Sequence, residues 1–394
     1  MIDFAALKAA NASLNAFTDF DQGAGFGDGP LAGVTIGVKA NIAVSGLPWT
    51  GGMDLYRHRI ATRDAEVVAR LRGAGAAVIG MLNMEEAALG AKTNTPWFGA
   101  TQNPHRLGFT PGGSSGGSGA AVAAGLCDAA LGTDTMGSIR IPAAYCGIYG
   151  FKPAHAAISQ DGLEMTEPSL DTIGPLARDL DMLERVSRVI SDFGEGDASG
   201  PVAVLEGLGG VESAPQVLAA FQRAADALEA RSAFTLPLPL TRARYAGFIA
   251  ASRYLATHLA AANPARLSPG LARLLTYGPK RSADDLAEDA RAMAKTRDAL
   301  HVVLETHAAI LLPTAPQAAF PHDQPAPVNQ ADFTCLANVA GLPSIAIPAG
   351  WDRDGLPVSV QLIGKSGTEA SLFKLARALD SALAAYRPPV PFGF

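Results

Sequence analysis

Charge is scarce in this chain: 17% of its 394 residues are Asp, Glu, Lys or Arg, and 31 basic against 37 acidic residues leave a formal net charge of −6. No basic block of the kind that neutralises phosphates is present, which argues against nucleic acid as a partner. Cysteine is scarcer still. Cys127, Cys146 and Cys335 are an odd number, far apart and without a CxxC pair, so they encode neither a disulfide framework nor a zinc site, and no metal is expected. They read as buried thiols in a reducing compartment. No stretch approaches about 18 strongly apolar residues; the long 117–132 run is Gly/Ala-rich and holds Ser118 and Asp128, which suits tight packing better than lipid. The N-terminus, MIDFAALKAANASLNAF, has an acidic third residue where an export signal needs a basic start. These absences predict a cytoplasmic protein with no membrane partner, and the 48% hydrophobic content predicts a sizeable core.

What is present is alternation. LAGVTIGVK reads as a strand, DAEVVARLRGAG as a helix ending at glycine and AAVIGMLN as the next strand, an α/β pattern. SGAAVAAGL follows as an Ala-rich helix, and CDAALGTD as a short strand feeding a turn at 133–138. A polar, Gly-rich link at 191–201 precedes the strand PVAVLEGL. Residues 213–309 carry Ala, Leu, Arg and Asp at helical spacing, with breaks expected at Pro264, Pro269 and Pro279. That section reads as a peripheral helical layer or lid. Within 331–365, PSIAIPAG and LPVSVQLIG form a hairpin expected to rejoin the sheet, and a last helix is expected at about 367–385. No internal repeat is visible, and a single domain over 1–394 is the simplest organisation.

The segment Gly112–Arg140, GGSSGGSGAAVAAGLCDAALGTDTMGSIR, concentrates serines without a neighbouring histidine. A phosphate-binding loop is one reading, but the segment lacks a Walker lysine and does not match G-x-G-x-x-G. A nucleophile elbow is the second: G-x-S-x-G fits at both Ser114 and Ser115. An elbow needs a preceding strand, for which QNPHRLGFTP is poorly suited, and a downstream base, for which His155, His258, His301, His307 and His322 offer no distinguishing context. The third reading takes lysine as the base. In GVTIGVK, Val34, Ile36 and Val38 alternate with Thr35, Gly37 and Lys39, which places Lys39 at the end of a buried strand where desolvation disfavours its charge.

Lys39, GGSSGGSGAAVAAG and GTDTMGSIRIPAAYCGIYGFKP together resemble the amidase signature family, densely over about 31–180 and more weakly in ANVAGLPSIAIPAG and LPVSVQLIG. The resemblance implies a single α/β/α domain around a large mixed β-sheet, in agreement with the alternation. It also implies a Ser-cisSer-Lys triad, with Ser138 as nucleophile, Ser114, after a cis peptide, as relay and Lys39 as base, acting on a small-molecule amide without a cofactor. Successive backbone N–H groups at Thr135, Met136, Gly137 and Ser138 are the expected oxyanion hole. Met136 stands where the family commonly has glycine; an ordinary φ and a thioether lining the acyl site are expected there. Ser115, Asp134 and Arg140 are expected to support the turn. The N-terminal helical region is shorter than is usual in the family, which bears on how open the site is and on a possible homodimer surface. Two rivals accompany the amide-hydrolase reading: a subunit that releases ammonia from glutamine for a partner, and a non-catalytic binding protein suggested by Met136.

Overall fold

A computed structural model describes residues 2–390. The strands in chain order are β1 (Phe17–Phe20), β2 (Thr35–Lys39), β3 (Ala77–Leu82), β4 (Asn94–Thr95), β5 (Gly99–Ala100), β6 (Ala129–Asp134) and β7 (Tyr149–Lys152). They continue as β8 (Thr172–Ala177), β9 (Val202–Leu205), β10 (Ser232–Phe234), β11 (Ala309–Pro313), β12 (Ser344–Trp351) and β13 (Pro357–Ile363). Among the described residues, eleven of these form one sheet in the order β1-β3-β2-β6-β8-β7-β12-β13-β11-β9-β10, and β4 and β5 pair separately. The sheet is mixed: β2 runs parallel to β3 and β6, whereas β6–β8, β8–β7, β7–β12 and β12–β13 are antiparallel.

The helices are α1 (Phe4–Leu14), α2 (Glu66–Gly73), α3 (Gly116–Ala123), α4 (Arg140–Cys146), α5 (Leu180–Ile190) and α6 (Pro215–Ala227). Then come α7 (Leu240–His258), α8 (Pro269–Leu274), α9 (Ala283–Thr306), α10 (Cys335–Val339) and α11 (Glu369–Leu383). α2, α5, α6 and α11 associate on one side of the sheet, and α3 and α4 pack together with α1 beside α3 in another layer. Strand sequence follows from this sandwiching. With helices on both faces, every residue of AVIGML in β3 is buried, so the strand is almost wholly apolar. In β11 and β13, Leu311, Val360 and Leu362 feed one core while Ile310, Leu312 and Ile363 feed another, the period-two division of a pleated strand. Each such fully buried aliphatic side chain contributes about 1.5–3 kcal/mol.

Several elements depart from the sequence expectation. β1 follows α1 directly, and β7 and β8 lie where the residue pattern gives no strand. β10 interrupts the 213–309 section, and α10 precedes the hairpin inside 331–365. Pro264 and Pro269 open helical turns, because a first-turn proline has no N–H to leave unpaired. α9 begins at a reciprocal cap in which Ser282 Oγ accepts from Asp285 N–H and the Asp285 side chain accepts from Ser282 N–H.

The helical section reaches the site through its own small core. Ala251 and Leu255 of α7, Leu259 just after it and Leu271 of α8 pack on Met53 from the loop after β2 and on Ala87 and Leu89 from the loop after β3, so α7 lies over the ends of the central strands. No helix among the described residues is long and apolar enough to cross a membrane.

Candidate active site

β2 and β6 are parallel neighbours, with Val38 opposite Leu131, so the carboxyl ends of both strands open on the same side of the sheet. Lys39 is the last residue of β2, and Thr133 lies near the end of β6. The turn before α3 delivers Ser114 to the same place. α3 approaches closely because Gly117 carries no side chain: a Cβ there would collide with backbone oxygens of Asn83 and Ala16.

Lys39 is completely buried, with Nζ 2.7 Å from Ser114 Oγ, 2.7 Å from Thr133 Oγ1 and 3.5 Å from Thr133 O. Asn41 Nδ2 donates to the same threonine hydroxyl at 3.1 Å. Burial pushes the Lys39 pKa down to about 7, against the opposing charges of Asp171, Asp134 and Glu85. The peptide between Gly113 and Ser114 is cis. Ser115 Oγ donates to Thr133 O at 3.1 Å and accepts from Thr133 N–H at 3.2 Å, tying the start of α3 to β6.

Asp134, fully buried, organises the next turn. Its Oδ1 accepts from Gly137 N–H (2.6 Å), Asn338 Nδ2 (2.9 Å) and Arg140 Nη2 (3.0 Å), and its Oδ2 accepts from Ile139 N–H (3.2 Å) and Arg140 Nε (3.0 Å). Burial works against this charge, but Arg140, Lys152 and Asn338 hold the carboxyl down at about 2. Arg140, equally buried, spends its other donors on Gln361 Oε1 and Asn338 Oδ1, both at 2.7 Å. Asp171 braces the turn from the other side by accepting from Thr135 Oγ1 at 2.6 Å, and burial raises its carboxyl to about 6.

This bracing corrects the expected oxyanion hole. Gly137 is expected to be one of four donors, yet its N–H is spent on Asp134. Among the described residues, Thr135, Met136 and Ser138 N–H have no acceptor, so three remain. Gly137 has φ +132°, and a Cβ there would collide with Thr334 Oγ1, whereas Met136 lies outside the left-handed region. The Met136 carbonyl accepts from Thr334 Oγ1 at 2.7 Å.

Ser138 and Met136 line a cavity of about 280 Å³, roofed by Arg244 and Phe248 of α7 and Leu274 of α8. Ser114 and Ser115 are completely buried; Ser138 is partly exposed to this space. The Ser138 hydroxyl has no hydrogen-bond partner among the described residues, so its link to Ser114 is not closed in this structure.

The phosphate-loop and nucleophile-elbow readings fail on geometry. The whole 111–124 segment is buried, and Gly116 and Gly117 N–H donate to Thr93 Oγ1 and Asn83 O, which leaves no N–H cradle for a phosphate. The histidines are engaged elsewhere: His155, His301 and His322 on the carbonyls of Pro168, Ala340 and Thr101, His307 on Ser232, and His258 on Glu164. Sequence reasoning missed Thr133, Asn41, Asp171, Arg244 and Phe248, whose residue types carry no motif. It also missed Lys152, another fully buried lysine, whose Nζ donates to Pro153 O at 2.8 Å.

The Amidase family model matches residues 3–373. A glutamyl-tRNA(Gln) amidotransferase subunit from Methanospirillum hungatei is 34% identical over 94% of this chain and 96% of its own. Among solved structures, the inhibitor-bound vestigial protein complex that bears on the origins of an s-triazine catabolic enzyme matches with TM-score 0.89 and 27% identity, over 98% of this chain and 94% of that one. The corresponding glutamyl-tRNA(Gln) amidotransferase subunit of Thermotoga maritima matches with TM-score 0.83 and 29% identity, over 98% and 93%. With its mixed eleven-stranded sheet and its motifs, the chain belongs to the amidase signature family.

Proposed function

We propose that the chain cleaves a carboxylic amide through an acyl-enzyme on Ser138. The observation that supports this most is accessibility: of the paired and turn serines only Ser138 opens to the cavity, while Ser114 is buried 2.7 Å from a lysine whose pKa is pushed down to about 7. Neutral Lys39 accepts the Ser114 proton as Ser114 accepts that of Ser138, whose Oγ bonds to the carbonyl carbon. The N–H groups of Thr135, Met136 and Ser138 face the negative oxygen that develops. Collapse breaks the C–N bond, and the proton returns through Ser114 to the leaving nitrogen. A water then takes the same route to release the acid and restore Ser138. The Ser138–Ser114 contact is expected to tighten with substrate, as catalytic hydrogen bonds commonly do.

A second reading keeps this chemistry and changes its setting: the amide is that of glutamine, and the chain is a subunit that releases ammonia for a partner. The curated relatives favour it, since those at 32–35% identity are named as amidotransferase subunits. On those names it has stronger support than a free-standing amidase.

Fluorophosphonate labelling with peptide mapping tests the shared chemistry. The adduct is expected on Ser138 and absent after Ser138→Ala; an adduct on Ser114 or Ser115 refutes the assignment. Ammonia release by the isolated chain from simple amides and from glutamine separates the two settings.

A further inference from the structure

Among the described residues, the cavity in front of Ser138 offers one charged side chain, Arg244, and no carboxylate for recognising a substrate. Its wall is dominated by Leu89, Met136, Ile141, Phe248, Leu274 and Ala331. The polar side chains beside Ser138 already have partners. Thr135 Oγ1 donates to Asp171 at 2.6 Å, Thr166 Oγ1 to Ala87 O at 3.1 Å and Gln330 Nε2 to Ala91 O at 3.2 Å. Arg244, the charged side chain in the lining, gives its Nε to Asp332, which is almost wholly buried behind it, and its two Nη groups have no partner among the described residues. Among the described residues no carboxylate lines the space.

Glutamine carries an ammonium and a carboxylate on the carbon three bonds beyond its amide carbon. The ammonium finds no acid here, and a buried ion without a partner costs several kcal/mol. The carboxylate meets Arg244 only beside the Asp332 charge. An apolar acyl group asks for neither, and gains from every methylene it removes from water.

We infer that this site, read as the acyl-enzyme site proposed above, selects amides of a small, uncharged, apolar acyl group and discriminates against zwitterionic glutamine, so that the cavity opposes the glutamine setting that the relatives' names favour. The volume of about 280 Å³ lies at the small end of ligand clefts, which run from about 300 Å³ upward, so the acyl group is compact, branched or monocyclic. Phe248 and Met136 set its shape. Gly247 allows this: a Cβ there would lie 3.0 Å from Met136 Sδ, so glycine lets α7 settle onto the catalytic turn with the thioether between them.

The decisive comparison is butanamide with L-glutamine, because butanamide is glutamine with both charged groups replaced by hydrogen. 3-Phenylpropanamide then extends the apolar group. For the purified full chain, kcat/KM is expected to favour butanamide over glutamine by at least about a hundredfold, and 3-phenylpropanamide over butanamide by about tenfold or more. Phe248→Ala should shrink the second ratio. Protection of Ser138 from fluorophosphonate reports binding independently of turnover: the apolar amides should protect and glutamine should not. If Ser138 labels but glutamine protects better or turns over faster than butanamide, the selectivity is overturned while the acyl-enzyme reading stands. If Ser138 does not label and no amide is hydrolysed, both fall.

Discussion

Lys39→Met tests the neutral-lysine base through stability as well as rate. Wild-type Lys39 has a folded pKa of about 7 against the ordinary 10.5, with burial as the main cause. Between those values the unfolded chain binds the extra proton, so the group destabilises the fold, with its penalty fully present below about pH 7 and relieved as pH rises toward 10.5. The slope approaches about 1.4 kcal/mol per pH unit, and allowing for half-titration at the lower end, wild-type stability should gain about 2 kcal/mol from this group between pH 7 and 9. Methionine does not titrate. Urea unfolding of both proteins at the two pH values should therefore show the stability difference, variant minus wild type, falling by about 2 kcal/mol. Lys152 is present in both proteins and cancels, as do the pH-independent losses from unpairing Ser114 Oγ. The variant should also lose about 10²–10⁴-fold in kcat, and the wild-type rate should rise with pH through about 7. A stability difference that does not change with pH would mean that Lys39 stays charged in the fold, and the relay would lose its base.

Asp134→Asn leaves the Arg140 guanidinium buried without its counter-charge and should destabilise by about 3–5 kcal/mol in urea unfolding; a loss below about 1 kcal/mol would mean that Asn338 and Gln361 suffice. Gly137→Ala forces a side chain against Thr334 at φ +132° and should lower kcat by about a hundredfold or more through the misplaced oxyanion turn, so near-normal kcat would remove the turn from the chemistry. Met136→Gly removes the thioether and keeps the N–H: small amides should stay within about tenfold in kcat/KM while bulkier ones gain, and a uniform thousandfold loss would mean that Met136 holds the turn itself.

Local sequence determined the elements whose signals are local. Alternation in GVTIGVK, helical spacing in DAEVVARLRGAG and the glycine-flanked serines announced β2, α2 and the site motifs, because period and turn chemistry are properties of neighbouring residues. The pairing of Lys39 with Ser114 was legible only through motif resemblance, since no spacing rule places Lys39 beside a serine 75 positions away. The tertiary fold decided the rest. β1, β7 and β10 are strands of three or four residues, and β8 is a six-residue strand without a clean alternating pattern, so their conformation is set by the ladder they join. Gly137 changed from expected oxyanion donor to turn brace because the Asp134 carboxylate, fixed by Arg140 and Asn338, claims its N–H. The cavity wall, too, exists only in three dimensions. Arg244 and Phe248 come from a helix more than a hundred residues beyond Ser138 in the chain, brought there by the apolar face of α7 packing on Met53 and Leu89. Burial then lowered the pKa of Lys39, and desolvation depends on what surrounds a side chain in space, not on its neighbours in sequence.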